Sequence, residues 1–214
     1  MELTREKPVV GRREARRIDR HDAIIAVAYA SFLEHGYAAT TMSGIAATIG
    51  GSKATLWSYF PSKEALFEAV LDKATATYRT QLSTLLDTSV DPERTIHSFC
   101  ISFLSKVTTA EALALQRLAH GEAGRFPEMG TAFYERGPRT TQTMLAGFMA
   151  SVMDRGLLRR DDPLRAARTL SALCMSGCHQ QLLFGRLDSV TPEMIAADAD
   201  AATELFLRAY APLS

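Results

Sequence analysis

The sequence predicts an all-α protein of about nine helices, and three observations support this fold class. Alanine and leucine are abundant among its 214 residues, and both favour helix. Apolar residues recur at helical spacing, and no long β-branched alternation predicts a strand. Glycine and proline separate the periodic segments, where they stop and start helices. With 47% apolar and 22% charged residues, the chain can form a packed core.

We expect the first helix at about residues 16–34, because apolar residues there recur three and four positions apart. Gly36 follows, and glycine readily adopts the left-handed conformation that ends a helix. The predicted buried stripe consists of Ile24, Val27, Ala28 and Phe32.

Residues 40–63 predict two short helices joined by a tight glycine turn. The Thr41 hydroxyl can cap the first, and Gly50 can adopt the positive φ that ends it. Ser52 can cap the second, which must end before Pro61. Two apolar residues of the first can pack against two of the second, which sets the wide angle of a helix-turn-helix.

The second short helix has the dimensions of a probe for the DNA major groove. About seven residues give a rod of ~11 Å, and the groove is ~12 Å wide. Its predicted solvent face carries side chains that can contact bases or phosphates: Lys53, Ala54, Thr55, Trp57 and Tyr59. The alternative is an ordinary helical hairpin with a solvated polar face, but exposed aromatic residues argue against it.

The later helices begin at capping residues or prolines. Ser62 precedes a long fourth helix, and Glu64 in its first turn suits the positive helix end. Gly137-Pro138 interrupts the seventh segment, which is therefore one kinked helix or two. The remaining helices are expected at about residues 92–106, 111–125, 129–155, 163–184 and 192–210.

Charge is uneven although the net charge is zero: residues 1–63 carry nine Lys and Arg against six Asp and Glu. A modest basic excess suits a module that binds a polyanion. Arginines ahead of the predicted first helix are either an arm that follows the DNA backbone or a solvated tail. These arginines are Arg12, Arg13, Arg16, Arg17 and Arg20.

Residues 19–67 resemble the TetR family of bacterial transcriptional regulators. The resemblance is strongest from Thr41 to Lys63 and continues through Glu64-Ala65-Leu66. It implies a three-helix DNA-binding domain, at residues 1–63 with a basic arm at 1–17, and a helical ligand-binding and dimerisation domain at 64–214. It also implies DNA contacts at Thr41, Ser52, Lys53, Ala54, Thr55, Trp57, Tyr59 and Lys63.

Two residues depart from the family pattern. Gly51 stands where the family usually has valine, and we expect looser packing of the turn. Trp57 stands where tyrosine is usual, so an indole N–H replaces a phenol. The rest of the chain resembles the AefR-like subgroup at Arg117-Leu118, Arg125-Phe126-Pro127, residues 133–138 and Asp161-Asp162-Pro163.

The resemblance implies a repressor that a small, hydrophobic effector releases from a palindromic operator. An activator or a ligand-independent regulator is the alternative. Apolar residues and one histidine of the second domain are candidates for the effector pocket, although core packing explains most of them equally well. These candidates are Phe99, Phe103, Phe126, Phe133, Tyr134, Phe148, Met175 and His179.

We expect a homodimer through the last two predicted helices, since Gly177 and nearby alanines (Ala166, Ala167 and Ala172) permit close helix approach. Two reading helices ~34–36 Å apart would then face successive turns of DNA. The family's double-stranded operator DNA is the second expected partner.

Enzymatic activity is not expected, because the sequence lacks the common nucleophile, zinc-protease and phosphate-loop motifs. A module that binds only protein is likewise disfavoured. We expect no cofactor and no metal. Cys174 and Cys178, four apart, are interpreted as buried hydrophobes rather than a redox or metal pair with His179. No segment predicts a signal peptide or a membrane span, so we expect a cytoplasmic protein.

Overall fold

The computed structural model describes residues 11–89 and 91–212, and every regular element in them is helical. The chain divides into two compact units between Val70 and Leu71, within the fourth helix rather than at Lys63. The first unit contains α1 (Arg12–Ala39), α2 (Met42–Thr48), α3 (Lys53–Tyr59) and the start of α4 (Lys63–Leu85).

The second unit contains the rest of α4 and the helices that follow it. A short π-helical segment, Glu135–Arg139, connects α7 and α8. The other helices are α5 (Pro92–Val107), α6 (Ala110–Glu122), α7 (Pro127–Tyr134), α8 (Thr140–Asp154), α9 (Pro163–Met175), α10 (Cys178–Leu183) and α11 (Pro192–Tyr210).

Aromatic packing forms the core of the first unit. The rings of Phe32, Tyr37 and Phe67 are fully buried, and their centres lie 5.1–5.6 Å apart. They join the last turns of α1 to the start of α4. Gly36 has φ 81°, as predicted, and it turns the chain so that Tyr37 enters this cluster. The α1 helix begins at Arg12, earlier than expected.

The core of the second unit lies between α4, α5, α8, α9 and α11. Ala166 and Ala167 on α9 are fully buried there. We expected these two alanines at a dimer interface, but within one chain they already bring α9 close to its neighbours. Ala172 is exposed.

The predicted interruption at Gly137-Pro138 is a π-helical segment. Pro138 has no N–H to donate, and the Thr140 hydroxyl donates to the Glu135 carbonyl at 2.8 Å. Arg136 and Arg79 both approach the Asp72 carboxylate, at 3.4 and 3.2 Å. The Arg136–Asp72 pair ties the π-helical segment to α4, and the Arg79–Asp72 pair lies within α4.

The helix expected at residues 163–184 is broken in two at Ser176 and Gly177. The Asp198 carboxylate from α11 lies where a side chain at position 177 would be. It accepts the Cys178 backbone N–H at 2.6 Å and so caps α10. Gly177 therefore makes room for a contact within the chain, and its expected place at a dimer interface stays a prediction.

We predict that Gly177→Ala destabilises the fold by about 1–3 kcal/mol, because the new methyl group displaces the Asp198 carboxylate from its cap. The measurement is urea unfolding followed by circular dichroism. Gly147→Ala is the matched control: nothing lies within 4 Å of its added methyl group, so it should stabilise α8 by about 0.5–1 kcal/mol. Equal stability of the two variants would contradict the role of Asp198.

Candidate nucleic-acid interface and second-unit cavity

The α2–α3 turn has the geometry of a Schellman motif. Gly50 has φ 67°, its N–H donates to the Ala47 carbonyl at 3.1 Å, and the Gly51 N–H donates to the Ala46 carbonyl at 3.1 Å. The Thr41 hydroxyl caps α2 by accepting the Gly44 N–H at 3.1 Å. The predicted cap and turn are therefore confirmed.

Helix α3 is seven residues long and has a single fully buried residue, Leu56, which is 3% exposed. The Ser52 hydroxyl accepts the Thr55 N–H at 3.1 Å and so caps the helix. The helix ends at Tyr59, just before Phe60-Pro61. Sequence and structure agree on each of these points.

Most of the predicted DNA-contacting side chains lie on the surface. Trp57 is 49% exposed, which is unusual for the largest side chain of the protein. Tyr59 is half-buried, with its ring centroid 6.3 Å from that of His21 on α1. The exposed members of the predicted set are Thr41, Ser52, Lys53, Ala54, Thr55 and Trp57.

Lys63 is half-buried and contacts the first unit internally. Its ammonium group donates to the Tyr37 carbonyl at 2.8 Å and lies 4.2 Å from the centre of the Tyr37 ring. Glu64 accepts a hydrogen bond from the Tyr37 hydroxyl at 3.3 Å. Its own backbone N–H and the Ser62 hydroxyl lower the pKa of Glu64. Lys63 therefore fixes the start of α4, and its contact with phosphate stays a prediction.

The basic run expected ahead of the first helix lies on that helix instead, since α1 already begins at Arg12. Arg13, Arg16 and Arg17 are exposed along its first turns. Residues 1–10, the remainder of the predicted arm, lie outside the described residues.

Arg20 has a position that the sequence did not indicate. Its guanidinium donates to the Ile49 carbonyl at 3.4 Å, at the C-terminal end of α2. It also lies 2.5 Å from where the Cβ of a side chain at position 51 would be. The space left by Gly51 is therefore filled by Arg20, and the expected loosening of the turn is wrong. No local sequence signal could have found this contact, because Arg20 and Gly51 lie far apart in the sequence.

The second unit contains a cavity of about 890 Å³, within the ~300–1,000 Å³ typical of small-molecule sites. Helices α4 to α10 line it, together with Gly137 and Pro138 of the π-helical segment. Phe184, which is 79% exposed, also contributes to its wall. The predicted pocket residues that line it are Phe103, Phe133, Tyr134, Met175 and His179.

Three predicted pocket residues lie elsewhere. Phe99 and Phe148 belong to the main core and are 0% and 3% exposed. Phe126 is half-buried at the start of α7, where Arg125 lies 5.5 Å from its ring. Helical periodicity predicted that these residues are buried, but it could not distinguish a packed core from the wall of a cavity.

Polar groups of the cavity wall are mostly engaged with each other. His179 Nε2 and Gln116 Oε1 are hydrogen-bonded at 2.9 Å, and Gln116 Nε2 donates to the Val107 carbonyl at 3.1 Å. Burial lowers the pKa of His179, so it is neutral at physiological pH. Lys106 donates to the Ala74 carbonyl at 3.0 Å, and Arg117 to the Leu182 carbonyl at 2.7 Å.

Two further groups of the wall have different environments. Burial is the main factor that raises the pKa of Tyr78 far above its usual value, so the phenol stays neutral. Its buried hydroxyl has no hydrogen-bond partner among the described residues. Gln142 Oε1 is buried and accepts no hydrogen bond within the part of the chain that the structure describes. Buried amide oxygens are nearly always paired.

All three cysteines are buried, and the thiols of Cys174 and Cys178 stay protonated. Cys174 lies on α9 and Cys178 on α10, so the break at Gly177 separates them, contrary to the single helical face that we expected. The pKa of the Cys174 thiol is raised by its hydrogen bond to Cys100 and by burial. Burial raises the pKa of Cys178 to about 12. Buried, protonated thiols are poor nucleophiles.

In residues 11–89 and 91–212, no group of three or more His, Cys, Asp and Glu side chains could hold a metal ion. Over the same residues, no single helix has the length and apolar character of a membrane span; the bent pair α5 and α6 meets the test only when taken together.

These features define a helix-turn-helix DNA-binding protein with a separate cavity-containing unit. Residues 24–70 match the N-terminal domain model of the bacterial regulatory proteins of the TetR family, and residues 94–212 match the C-terminal domain of AefR-like transcriptional repressors. The chain belongs to the TetR family. It is a DNA-binding transcriptional regulator and, like other members, not an enzyme.

Solved structures have the same fold. A TetR-family regulator from Mesorhizobium loti is 29% identical, with a TM-score of 0.79 over 92% of this chain and 98% of that one. The flavonoid-responsive regulator FrrA is 32% identical, with a TM-score of 0.78 over 92% and 99%. SmeT, the repressor of the Stenotrophomonas maltophilia efflux pump SmeDEF, is 24% identical, with a TM-score of 0.64 over 89% and 90%. Among curated proteins, none matches the chain.

We predict that Arg20 and Gly51 are energetically coupled. Arg20→Ala should destabilise the first unit by about 1 kcal/mol through the lost bond to the Ile49 carbonyl. In a Gly51→Val background it should cost almost nothing, because valine already displaces the guanidinium. Trp57, the chain's one tryptophan, reports unfolding of this unit by fluorescence.

Arg17→Ala is the matched control, since Arg17 is exposed on the same helix. It should cost the same with glycine or valine at position 51. An equal cost for Arg20→Ala in both backgrounds would show that Arg20 does not replace the missing side chain.

Proposed function

We propose that the protein is a repressor that binds a palindromic operator as a homodimer and is released by a small effector. The exposed face of α3 is the observation that carries the proposal. Its side chains combine a cation, a hydroxyl and an indole, while its caps and Leu56 hold the backbone in place. Such a face can both bond base edges and grip phosphates. A regulator of this kind works where the chromosomal DNA is, in the cytoplasm.

Each predicted contact has a chemical role. Lys53 and Thr55 can bond base edges or phosphate, Ala54 can contact a thymine methyl group, and Trp57 supplies apolar area and one N–H donor. The remaining members are phosphate contacts, because hydroxyl and ammonium groups flank both ends of the helix-turn-helix. These are Thr41, Ser52, Tyr59 and Lys63.

Homodimerisation through α9, α10 and α11 is supported by the surface of α11. Leu205 is 52% exposed there, beside the exposed small residues Ala201 and Ala209. An exposed leucine among alanines is typical of a helix that packs against a partner helix. A two-fold axis at this surface would present two copies of α3 to two operator half-sites.

Release by an effector is supported by the location of the cavity. Leu71, Ala74 and Tyr78 on α4 line it, and α4 also contributes its first turns to the DNA-binding unit. An effector that binds one conformation of α4 better than the other would shift the population away from the DNA-binding state. FrrA, at 32% identity, is described as flavonoid-responsive, which favours a ligand-responsive role.

An activator or a ligand-independent regulator uses the same DNA-binding surface and remains the second candidate. Footprinting relative to the promoter separates them: a repressor covers the polymerase site, and an activator binds upstream of it. A protein-only interaction module would not shift DNA from the region upstream of the gene.

We predict that Trp57→Ala weakens operator binding at least about tenfold, since it removes apolar contact and a donor in the groove. Lys53→Ala should lower the slope of log affinity against log salt by about two, because each protomer of the dimer loses one phosphate contact. Fluorescence anisotropy with labelled operator measures both.

Lys73→Ala, at an exposed lysine of α4 in the second unit, is the control and should leave affinity and slope unchanged. All variants should remain dimeric in light scattering. Undiminished affinity of the Trp57 and Lys53 variants would count against α3 as the reading helix.

We predict that Leu205→Glu gives a folded monomer with weakened operator binding, because the carboxylate would be buried against a partner helix. Leu157→Glu is the matched control, as Leu157 is 44% exposed outside the last three helices. Light scattering measures the oligomeric state. A dimeric Leu205→Glu variant would place the interface elsewhere.

A further inference from the structure

Two buried polar atoms of the cavity wall, Gln142 Oε1 and the Tyr78 hydroxyl, have no hydrogen-bond partner among the described residues. The amide oxygen restricts the chemistry of the effector more strongly, because it can only accept a hydrogen bond. Gln142 Oε1 is buried, lies in the wall and accepts no hydrogen bond from any described residue. An unpaired buried acceptor is unfavourable, and a bound molecule that donates to it removes that cost. The occupant should therefore carry a donor near Gln142.

The other polar groups of the wall provide little for a charged occupant. Gln116 uses both ends of its amide, on His179 and on the Val107 carbonyl. Lys106 and Arg117 donate to main-chain carbonyls. Because His179 is neutral and these cations are already engaged, a carboxylate in the cavity would lose its hydration, and the neutral Tyr78 hydroxyl would be a weak replacement for it.

The remaining wall favours flat apolar rings. Phe103, Phe133 and Tyr134 contribute aromatic faces or edges, with Tyr78 and Phe184 beside them. Aromatic side chains pack against another ring by offset stacking or edge-to-face contact. A molecule of two or three rings fits a cavity of about 890 Å³.

We propose that the effector is a neutral phenol with an apolar aromatic body, whose hydroxyl donates to Gln142 Oε1. This inference rests on the proposed function, since it specifies the effector of the same cavity. The specificity-determining residue is then Gln142, which lies in the first turn of α8, just after the π-helical segment. The Gly137-Pro138 interruption sets where α8 begins and thereby where Gln142 enters the cavity wall.

The test uses three matched probes of one shape: 4-phenylphenol, 4-methoxybiphenyl and biphenyl-4-carboxylate. Isothermal titration calorimetry on the full chain, without DNA, measures their affinities. We expect 4-phenylphenol to bind about tenfold tighter than the methyl ether, which has no donor, and tighter still than the carboxylate.

Gln142→Leu removes the acceptor and keeps an apolar side chain of similar size, so the fold should be as stable or more stable. In this variant the preference for the phenol over the methyl ether should fall to within about twofold. Gln180→Leu is the matched control, because Gln180 also lines the cavity but is exposed. It should keep the wild-type preference.

Three outcomes overturn the inference: no probe binds, the wild type does not prefer the phenol, or Gln142→Leu retains the preference. Operator release, measured separately by anisotropy, tests the proposed function. Release by all three probes equally would support an effector-released repressor and refute the role of Gln142. Phenol binding that depends on Gln142 but leaves the operator complex intact would support this site and refute release.

Discussion

The proposed DNA-binding surface depends on how a helix of seven residues is kept folded. A helix of that length is not stable alone in water, so α3 must be held by the rest of its unit. Leu56 anchors its buried side, Ser52 caps its start, and Gly50 ends α2 with the left-handed turn. With so few positions used for support, the remaining side chains of α3 are available to DNA.

The second unit combines a packed core with a cavity, and the difference between them is one of packing rather than composition. Phe99 and Phe148 fill the core, whereas Phe103 and Phe133 line the open space. The break at Gly177 also shapes the cavity wall. Asp198 caps α10 there, and α10 places His179 against Gln116. The cavity wall thus depends on a contact from a helix that begins later in the chain.

Local rules explain why the DNA-reading unit could be predicted closely. The caps at Thr41 and Ser52, the turn at Gly50 and the stop before Pro61 each act within four residues of the sequence. The Arg20–Gly51 contact could not be predicted in this way, because residues far apart in sequence meet only after α1 and the turn have packed. For the same reason, the sequence could not show that Arg20 fills the space left by Gly51, where the family usually has valine.

The sequence by itself determined the all-helical class, the helix-turn-helix and the exposed face of its second helix, because caps, turns and periodicity are local properties of the chain. Only the tertiary structure decided which aromatic residues line a cavity, that Lys63 binds the Tyr37 carbonyl, and that Gln142 presents an unpaired oxygen. Those outcomes depend on the distances between separate helices. A one-dimensional pattern records which side of a helix is apolar, but not how closely that side is approached.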